Sequence, residues 1–332
     1  VKRRWKWLAF ALGLALFAFY LRDADLPAVG RRLRGIGWAG WLLPIPYLFV
    51  YLVDTWAWRC AFAIAPAVPF RTLVRIRWCG ESVNNVVPSA YVGGEALKVL
   101  LLARRGVPAH DATAAALVSK TAQTVAQVLF LVAGSLAFLL IAGEHPGLRS
   151  AMAVILAGGL AVVGLLFWWQ KRGVFGSLLG LLRRLGIRSR RLESRRNEWE
   201  AMDRTIAGFY GAHRSRFLAC TAWFFVGWLL DTVEIWLAGR LLGLPIHWGQ
   251  ALAVESFTGV VKVIGMWVPG ALGIQESGIV LLVRMVGGPD LLGATYALLR
   301  RGREVLYAAA GWALLMVGGG PPGGGRGEGV RG

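Results

Sequence analysis

Residues 112–142 read ATAAALVSKTAQTVAQVLFLVAGSLAFLLIA, a run of 31 positions broken by one formal charge, Lys120. As a helix rising about 1.5 Å per residue, it is longer than a hydrocarbon core about 30 Å thick. Its polar side chains are not scattered: Lys120, Gln123, Thr124 and Gln127 recur at helical spacing and share one stripe. Polar groups facing hydrocarbon without partners are costly, so the stripe must face an interior. The stretch predicts a membrane helix and, beside it, a polar interior for that helix to line.

Further apolar runs stand at Trp5–Leu21, Ala151–Trp169 and Phe217–Leu242. The chain of 332 residues is 56% hydrophobic and 17% charged, with mean hydropathy +0.56. Soluble domains are about 25% charged, so this chain lacks the polar surface to coat a soluble fold. A cytosolic enzyme, a secreted disulfide scaffold and a disordered chain are excluded; catalysis inside a membrane is not. The 37 Lys and Arg against 18 Asp and Glu, a formal +19, fit cationic loops that obey the positive-inside rule and touch anionic headgroups. No nucleic-acid motif accompanies them, and no nucleic-acid partner is expected. Cys60, Cys79 and Cys220 show no CxxC spacing and read as small buried hydrophobes.

The spans are expected as follows. An uncleaved first helix, Trp7–Leu21, starts in the cytoplasm behind Lys2, Arg3, Arg4 and Lys6. A second runs from Trp38 to Ala65, kinked or delayed by Pro44 and Pro46. Arg71, Arg75 and Arg77 follow it on the cytoplasmic side, and Arg31, Arg32 and Arg34 are left outside. Spans over 112–142 and 148–169 are joined by the outward-facing Gly143–Gly147, which lacks Lys and Arg. Residues 170–216 carry 12 Lys and Arg against 4 acids and read as a basic cytoplasmic loop. Within it, Leu178, Leu179, Leu181, Leu182 and Leu185 among arginines suggest a helix lying on the headgroups. Spans at 217–242 and 291–317 complete the set, with both termini cytoplasmic. Residues 318–332 form a Gly-rich tail that reads as disordered.

Two segments, 78–102 and 250–286, are apolar but broken. The first reads Glu81-Ser-Val-Asn-Asn-Val-Val-Pro88-Ser-Ala90-Tyr-Val-Gly-Gly-Glu95; the second has Glu255-Ser256, then Pro269-Gly-Ala271-Leu-Gly-Ile-Gln-Glu276. Both contain Glu-Ser, then Pro-x-Ala, then Glu seven residues after the proline, and the expected topology sets the copies in opposite orientations. Backbone that leaves a helix inside a bilayer must be satisfied by protein or water. Paired broken segments therefore point to a substrate site near the midplane, and a half-helix N-terminus attracts anions. The expected architecture is all-α: one transmembrane domain over 1–317, a polytopic helical bundle of about six full spans plus two broken, re-entrant segments in an inverted-repeat-like arrangement.

Ionisable residues crowd the apolar stretches. Eight of the 18 acids lie there: Asp54, Glu81, Glu95, Asp231, Glu234, Glu255, Glu276 and Glu304. With them are Arg59, Lys98, Lys120, Lys262, Arg300, Arg301 and Arg303. Each costs on the order of 3 kcal/mol at mid-bilayer unless paired or wetted. The near-balance of signs predicts pairing. Arg300 and Glu304 share a helix face, as do Asp231 and Glu234, which call for a cation from Lys120 or from Arg300–Arg303. The candidate substrate-binding set is Glu81, Asn84, Asn85, Pro88, Gly93, Gly94, Glu95, Lys98 and Lys120 from the first half. Pro269, Gly270, Gly273, Gln275, Glu276, Arg300, Arg301, Arg303 and Glu304 complete it. His110, His145, His213 and His247 form no metal-ligand spacing, and no hydrolase, zinc-protease, ATP or dinucleotide motif occurs. No metal, cofactor or catalytic residue is expected.

Gly80-Glu-Ser-Val-Asn-Asn-Val-Val-Pro-Ser-Ala-Tyr-Val-Gly-Gly-Glu-Ala-Leu-Lys98, followed by Arg104-Arg-Gly-Val-Pro108, resembles the first signature of the flippase-like family that includes the transmembrane domain of lysylphosphatidylglycerol synthase. Trp267-Val-Pro-Gly-Ala-Leu-Gly-Ile-Gln-Glu276 resembles its second signature, and Ala297-Leu-Leu-Arg-Arg-Gly-Arg-Glu304 fits as well. The Asn-Asn-x-x-Pro and Ile-Gln-Glu wording is most similar to the subgroup associated with hopanoid biosynthesis, although Tyr91 stands where that subgroup often has Gln. The resemblance implies an inner-membrane bundle with re-entrant segments that translocates a lipid, a hopanoid or an anionic phospholipid, with lipid-biosynthesis enzymes as possible partners. The synthase's soluble aminoacyl-transfer domain would need a few hundred further residues, so lysyl transfer is not expected. Two rival readings are an enzyme or accessory subunit of lipid biosynthesis, and a small-anion secondary transporter.

Overall fold

The structure is a computed structural model that describes residues 25–86, 92–142, 146–174, 196–265 and 271–318, with residues 15, 176, 177, 180, 184 and 268 as isolated positions. Within them the fold is helical. In chain order the helices are α1 (Leu26–Ile36), α2 (Ile45–Cys60), α3 (Phe70–Val86), α4 (Val92–Ala103), α5 (Ala109–Ala142) and α6 (Pro146–Arg172). They continue as α7 (Arg196–Ala212), α8 (Arg214–Leu241), α9 (Trp248–Ile264), α10 (Ile274–Met285) and α11 (Asp290–Gly318). The expected first span, the leucines proposed to lie on the headgroups, Pro88, Pro269, Gly270 and the tail beyond residue 318 fall outside the described residues, apart from position 15.

Local chemistry starts the helices where the sequence turns. Asp25 Oδ1 accepts from Ala28 N at 2.9 Å to cap α1, with Pro27 in its first turn. Of the two effects expected of Pro44 and Pro46, the delay is the one seen: a 3-10 turn, Gly37–Leu42, precedes them and α2 starts only at Ile45. Its last helical residue is Cys60, short of the expected Ala65. Among the described residues, four stretches are long and apolar enough to cross a membrane: Leu26–Cys60, Ala109–Ile141, Ser150–Gln170 and Arg214–Leu241. Helix α11 is 29 residues long, yet it carries Arg300, Arg301, Arg303 and Glu304 at its centre, so it lacks a comparable apolar window.

Two apolar clusters hold the bundle together. One joins α2, α3, α5, α7 and the start of α8 around Trp58, Leu73, Ala122 and Phe224. The other joins the end of α8 to α9, α10 and α11 around Ile235, Val254, Ile279 and Tyr296. Helix α8 passes from one cluster to the other between Phe224 and Ile235, and in that interval Gly227 and Asp231 line a cavity. Helix α6 lies at the edge of the bundle: Met152 joins the second cluster, but only 6% of its apolar window is buried, and Val154, Leu160 and Leu165 face outward.

The basic stretch 170–216 is not a loop throughout. Its second half is α7, because Ile206 and Phe209 place apolar surface on one side and bury it against α5. Asp203 Oδ2 accepts from Gly176 N at 2.9 Å. A second correction concerns Arg77, expected in a cytoplasmic connection. It belongs to α3 and is 4% exposed inside the fold, because Asp54 lies opposite to pair with it.

Both broken segments are helical hairpins. In the first, α3 packs on α4 so closely that a Cβ at Gly94 would collide with the Gly80 carbonyl oxygen. In the second, α9 packs on α10. The matched serines of the repeat also mark close approaches. A Cβ at Gly134 of α5 would overlap the Ser256 side chain, and one at Gly311 of α11 would overlap Ser82.

Candidate functional site

Between the two apolar clusters lies a cavity of about 300 Å³ with a charged lining. Helix α2 gives it Tyr47, Tyr51 and Asp54, and α3 gives Arg77 and Glu81. Helix α5 contributes its polar stripe, Lys120, Gln123, Thr124 and Gln127. Phe224, Trp228 and Asp231 come from α8, Glu255 and Lys262 from α9, and Arg300 from α11. The stripe read from the sequence thus faces an interior, as lipid would have forbidden the alternative.

The lining is held by ion pairs between helices. Arg77 Nη2 donates to Asp54 Oδ2 at 2.5 Å and lies 3.7 Å from Glu81 Oε1. Arg300 grips Glu255 with both terminal nitrogens, Nη1 to Oε2 at 2.5 Å and Nη2 to Oε1 at 2.9 Å, and Nη1 also donates to Tyr296 Oη at 3.0 Å. Such forked contact fixes orientation as well as charge. The Arg300–Glu304 pair expected from the sequence is present at 3.9 Å, but it is the weaker of the two contacts. Glu255 wins because it sits on the facing helix, where both of its oxygens meet the fork.

At the first hairpin, Asn84 Oδ1 accepts from Gly94 N at 2.8 Å, tying α3 to the first turn of α4 across residues 87–91. Glu95, in that same turn, pairs with Lys98 at 2.7 Å and reaches Lys120 of α5 at 3.2 Å. Lys98 is fully buried, with its ammonium 5.2 Å from the centre of the Trp58 ring. Lys120 also donates to Gln123 Oε1 at 3.0 Å.

The second hairpin repeats this scheme with other partners. Gly273 adopts φ +78°, a left-handed turn that favours glycine, and its N–H donates to Glu276 Oε2 at 2.8 Å. Glu276, fully buried, is paired with Arg301 of α11. Arg301 in turn meets Glu304 at 3.0 Å, and Glu304 accepts from Lys262 and from Gln275, each at 3.1 Å. The matched glutamates Glu95 and Glu276 thus stand in the first turns of α4 and α10, each bound to a cation of another helix.

Asp231 and Glu234 do find their cation among the arginines of α11. Arg303 lies 2.6 Å from Glu234 and 3.6 Å from Asp231, with its guanidinium 3.5 Å from the centre of the Tyr47 ring. Lys120, the other cation considered for that pair, is engaged by Glu95 instead.

Of the candidate set, the structure brings Glu81, Lys120 and Arg300 to the cavity wall. Asn84, Gly94, Glu95 and Lys98 gather at the first hairpin; Gly273, Gln275, Glu276, Arg301 and Glu304 gather where the second meets α11. Glu95 and Glu276 are anchors beside the cavity and do not line it. Neither does Arg303, nor the half-buried Asn85 and Gly93. Sequence reasoning left Asp54, Arg77, Asp231, Glu255 and Lys262 out of the site. The repeat could have found Glu255: its Glu-Ser matches Glu81-Ser82, and both glutamates line the cavity. Among the described residues no group of three His, Cys, Asp or Glu is placed to hold a metal ion. The lining can bind and orient a small polar, charged group.

A family model described as Lysylphosphatidylglycerol synthase TM region matches residues 6–311 of the chain. No curated protein and no solved structure gave a match.

Proposed function

The chain belongs to the lysylphosphatidylglycerol synthase transmembrane-region family, and from that premise we propose that it carries a membrane lipid between leaflets, the headgroup passing through the charged cavity. The observation that carries the reading is the cavity's position. It is flanked by two matched helical hairpins in an otherwise apolar bundle, and both Glu-Ser glutamates line it. The headgroup occupies the cavity while the acyl or polycyclic body stays in lipid, so the apolar part never crosses water. In this reading the hairpins are re-entrant, six spans cross the inner membrane and both termini are cytoplasmic. The lipid is a phospholipid or a hopanoid, and the site binds and releases it with no covalent step.

Transport of tail-labelled lipid in proteoliposomes tests this. Wild-type protein is expected to move label across the bilayer, and Lys120→Gln/Lys262→Gln to lower the rate about tenfold while expressing normally. Movement no faster than in protein-free vesicles would refute the reading.

A further inference from the structure

Resting on the translocation reading, we infer that the cavity selects a zwitterionic headgroup, one anionic phosphate and one ammonium, over an anionic or an uncharged one. The lining carries four cationic and four carboxylate side chains. They are not equally available. The Arg77 and Arg300 side chains are 5% and 3% exposed and tied to Asp54 and Glu255, whereas those of Lys120 and Lys262 are 35% and 29% exposed. The lysines are therefore the cations that present surface to a guest. Each is tethered to a carboxylate, Glu95 or Glu304, that does not itself line the cavity.

An ammonium has three donors. Lys262 is tethered to Glu304 and can add a phosphate oxygen without breaking that pair, while Lys120, held by Glu95 and Gln123, adds its positive charge to the same wall. Two further donors are unmet. The Tyr51 hydroxyl and the Trp228 indole N–H belong to lining residues and are buried with no hydrogen-bond partner among the described residues. Buried donors rarely stay unpaired, and here they add to the demand for an acceptor-rich group.

Phosphate alone would leave the wall unbalanced. Glu81 is 21% exposed, its nearest cation contact is Arg77 at 3.7 Å, and Arg77 is closer to Asp54. Glu81 is thus the carboxylate with room for a second cation. An ammonium there satisfies it, and Tyr and Trp faces in the same wall favour such a group. A headgroup with both charges meets both halves of the lining, and being neutral overall it crosses without electrical work against the membrane potential. The volume of about 300 Å³ is on the order of ten waters, room for a phosphate with a short amino alcohol and not for lipid tails.

The test uses the full chain in vesicles with tail-labelled lipids that differ only in headgroup: phosphocholine, phosphoglycerol or a neutral sugar. The phosphocholine lipid is expected to move about tenfold faster than the other two. Equal or faster movement of the phosphoglycerol or sugar lipid overturns the inference and leaves translocation standing. If no lipid moves, translocation itself fails, and calorimetric titration of the solubilised protein decides the inference alone. Binding of glycerophosphocholine about tenfold tighter than glycerol 3-phosphate supports it; equal, reversed or absent binding overturns it.

Discussion

Arg303→Met is expected to lose at least about 3–5 kcal/mol of stability, the usual cost of removing one member of a buried ion pair. The reason is that Arg303 serves two carboxylates. Asp231 and Glu234, one turn apart on α8, have side chains 8% and 3% exposed, and Arg303 is the cation that both contact. Methionine replaces most of the aliphatic volume, so the loss isolates the charge. Two carboxylates then remain in a nearly dry site, and Tyr47 loses the guanidinium packed on its ring. Asp231→Asn/Glu234→Gln in the same background should restore much of the stability, because the unpaired charges are gone. Thermal unfolding in detergent, followed by loss of the monodisperse peak, measures both. A single variant that melts with the wild type contradicts the assignment, as does a triple variant no better than the single one.

Glu255→Ala comes next, with an expected loss of about 3–5 kcal/mol. It removes two hydrogen bonds to Arg300, whose side chain is 3% exposed and which, among the described residues, keeps Tyr296 Oη and the more distant Glu304. The joint replacement Glu255→Leu/Arg300→Met is expected to recover stability, since exchanging a whole buried pair for apolar side chains is often neutral or favourable. It should still impair transport, because the cavity loses one charge of each sign. A double-mutant cycle gives the coupling, and a value near zero would mean that the pair does not hold α9 to α11. Arg300 and Arg303 lie one turn apart on α11, so their losses are not expected to add.

These pairs show what the sequence could and could not tell. Helix content and the long apolar helices were legible because the apolar runs at 112–142, 148–169 and 217–242 leave no other structure able to satisfy the backbone in lipid. The two breaks were legible from proline, glycine and the Glu-Ser repeat, and the hairpins form at those positions. The interior stripe on α5 followed from spacing alone.

Partners were harder. Spacing along one helix proposes Arg300 with Glu304, but the choice between a neighbour on the same helix and a fork on the facing one depends on how α9 packs against α11, which no local pattern encodes. Arg77 was misplaced for the same reason. Its neighbours Arg71 and Arg75 look like a loop, and only Asp54, 23 residues earlier on another helix, explains its burial. Helix α7 was hidden by charge: the arginines of 170–216 dominate the composition, while Ile206 and Phe209 supply the anchoring face.

If lipid headgroups pass through the cavity beside α5, blocking that cavity must stop them. Thr124, half-buried on the polar stripe, lines that cavity; Leu129, on the same helix, is exposed on the bundle's outer surface. The most direct measurement is the rate of transbilayer movement of tail-labelled phospholipid in proteoliposomes bearing wild type, Thr124→Trp or Leu129→Trp. The indole at position 124 is expected to fill the cavity and cut the rate about tenfold or more, while the one at position 129 leaves it unchanged. Undiminished movement with Thr124→Trp in a folded protein would contradict passage through the cavity.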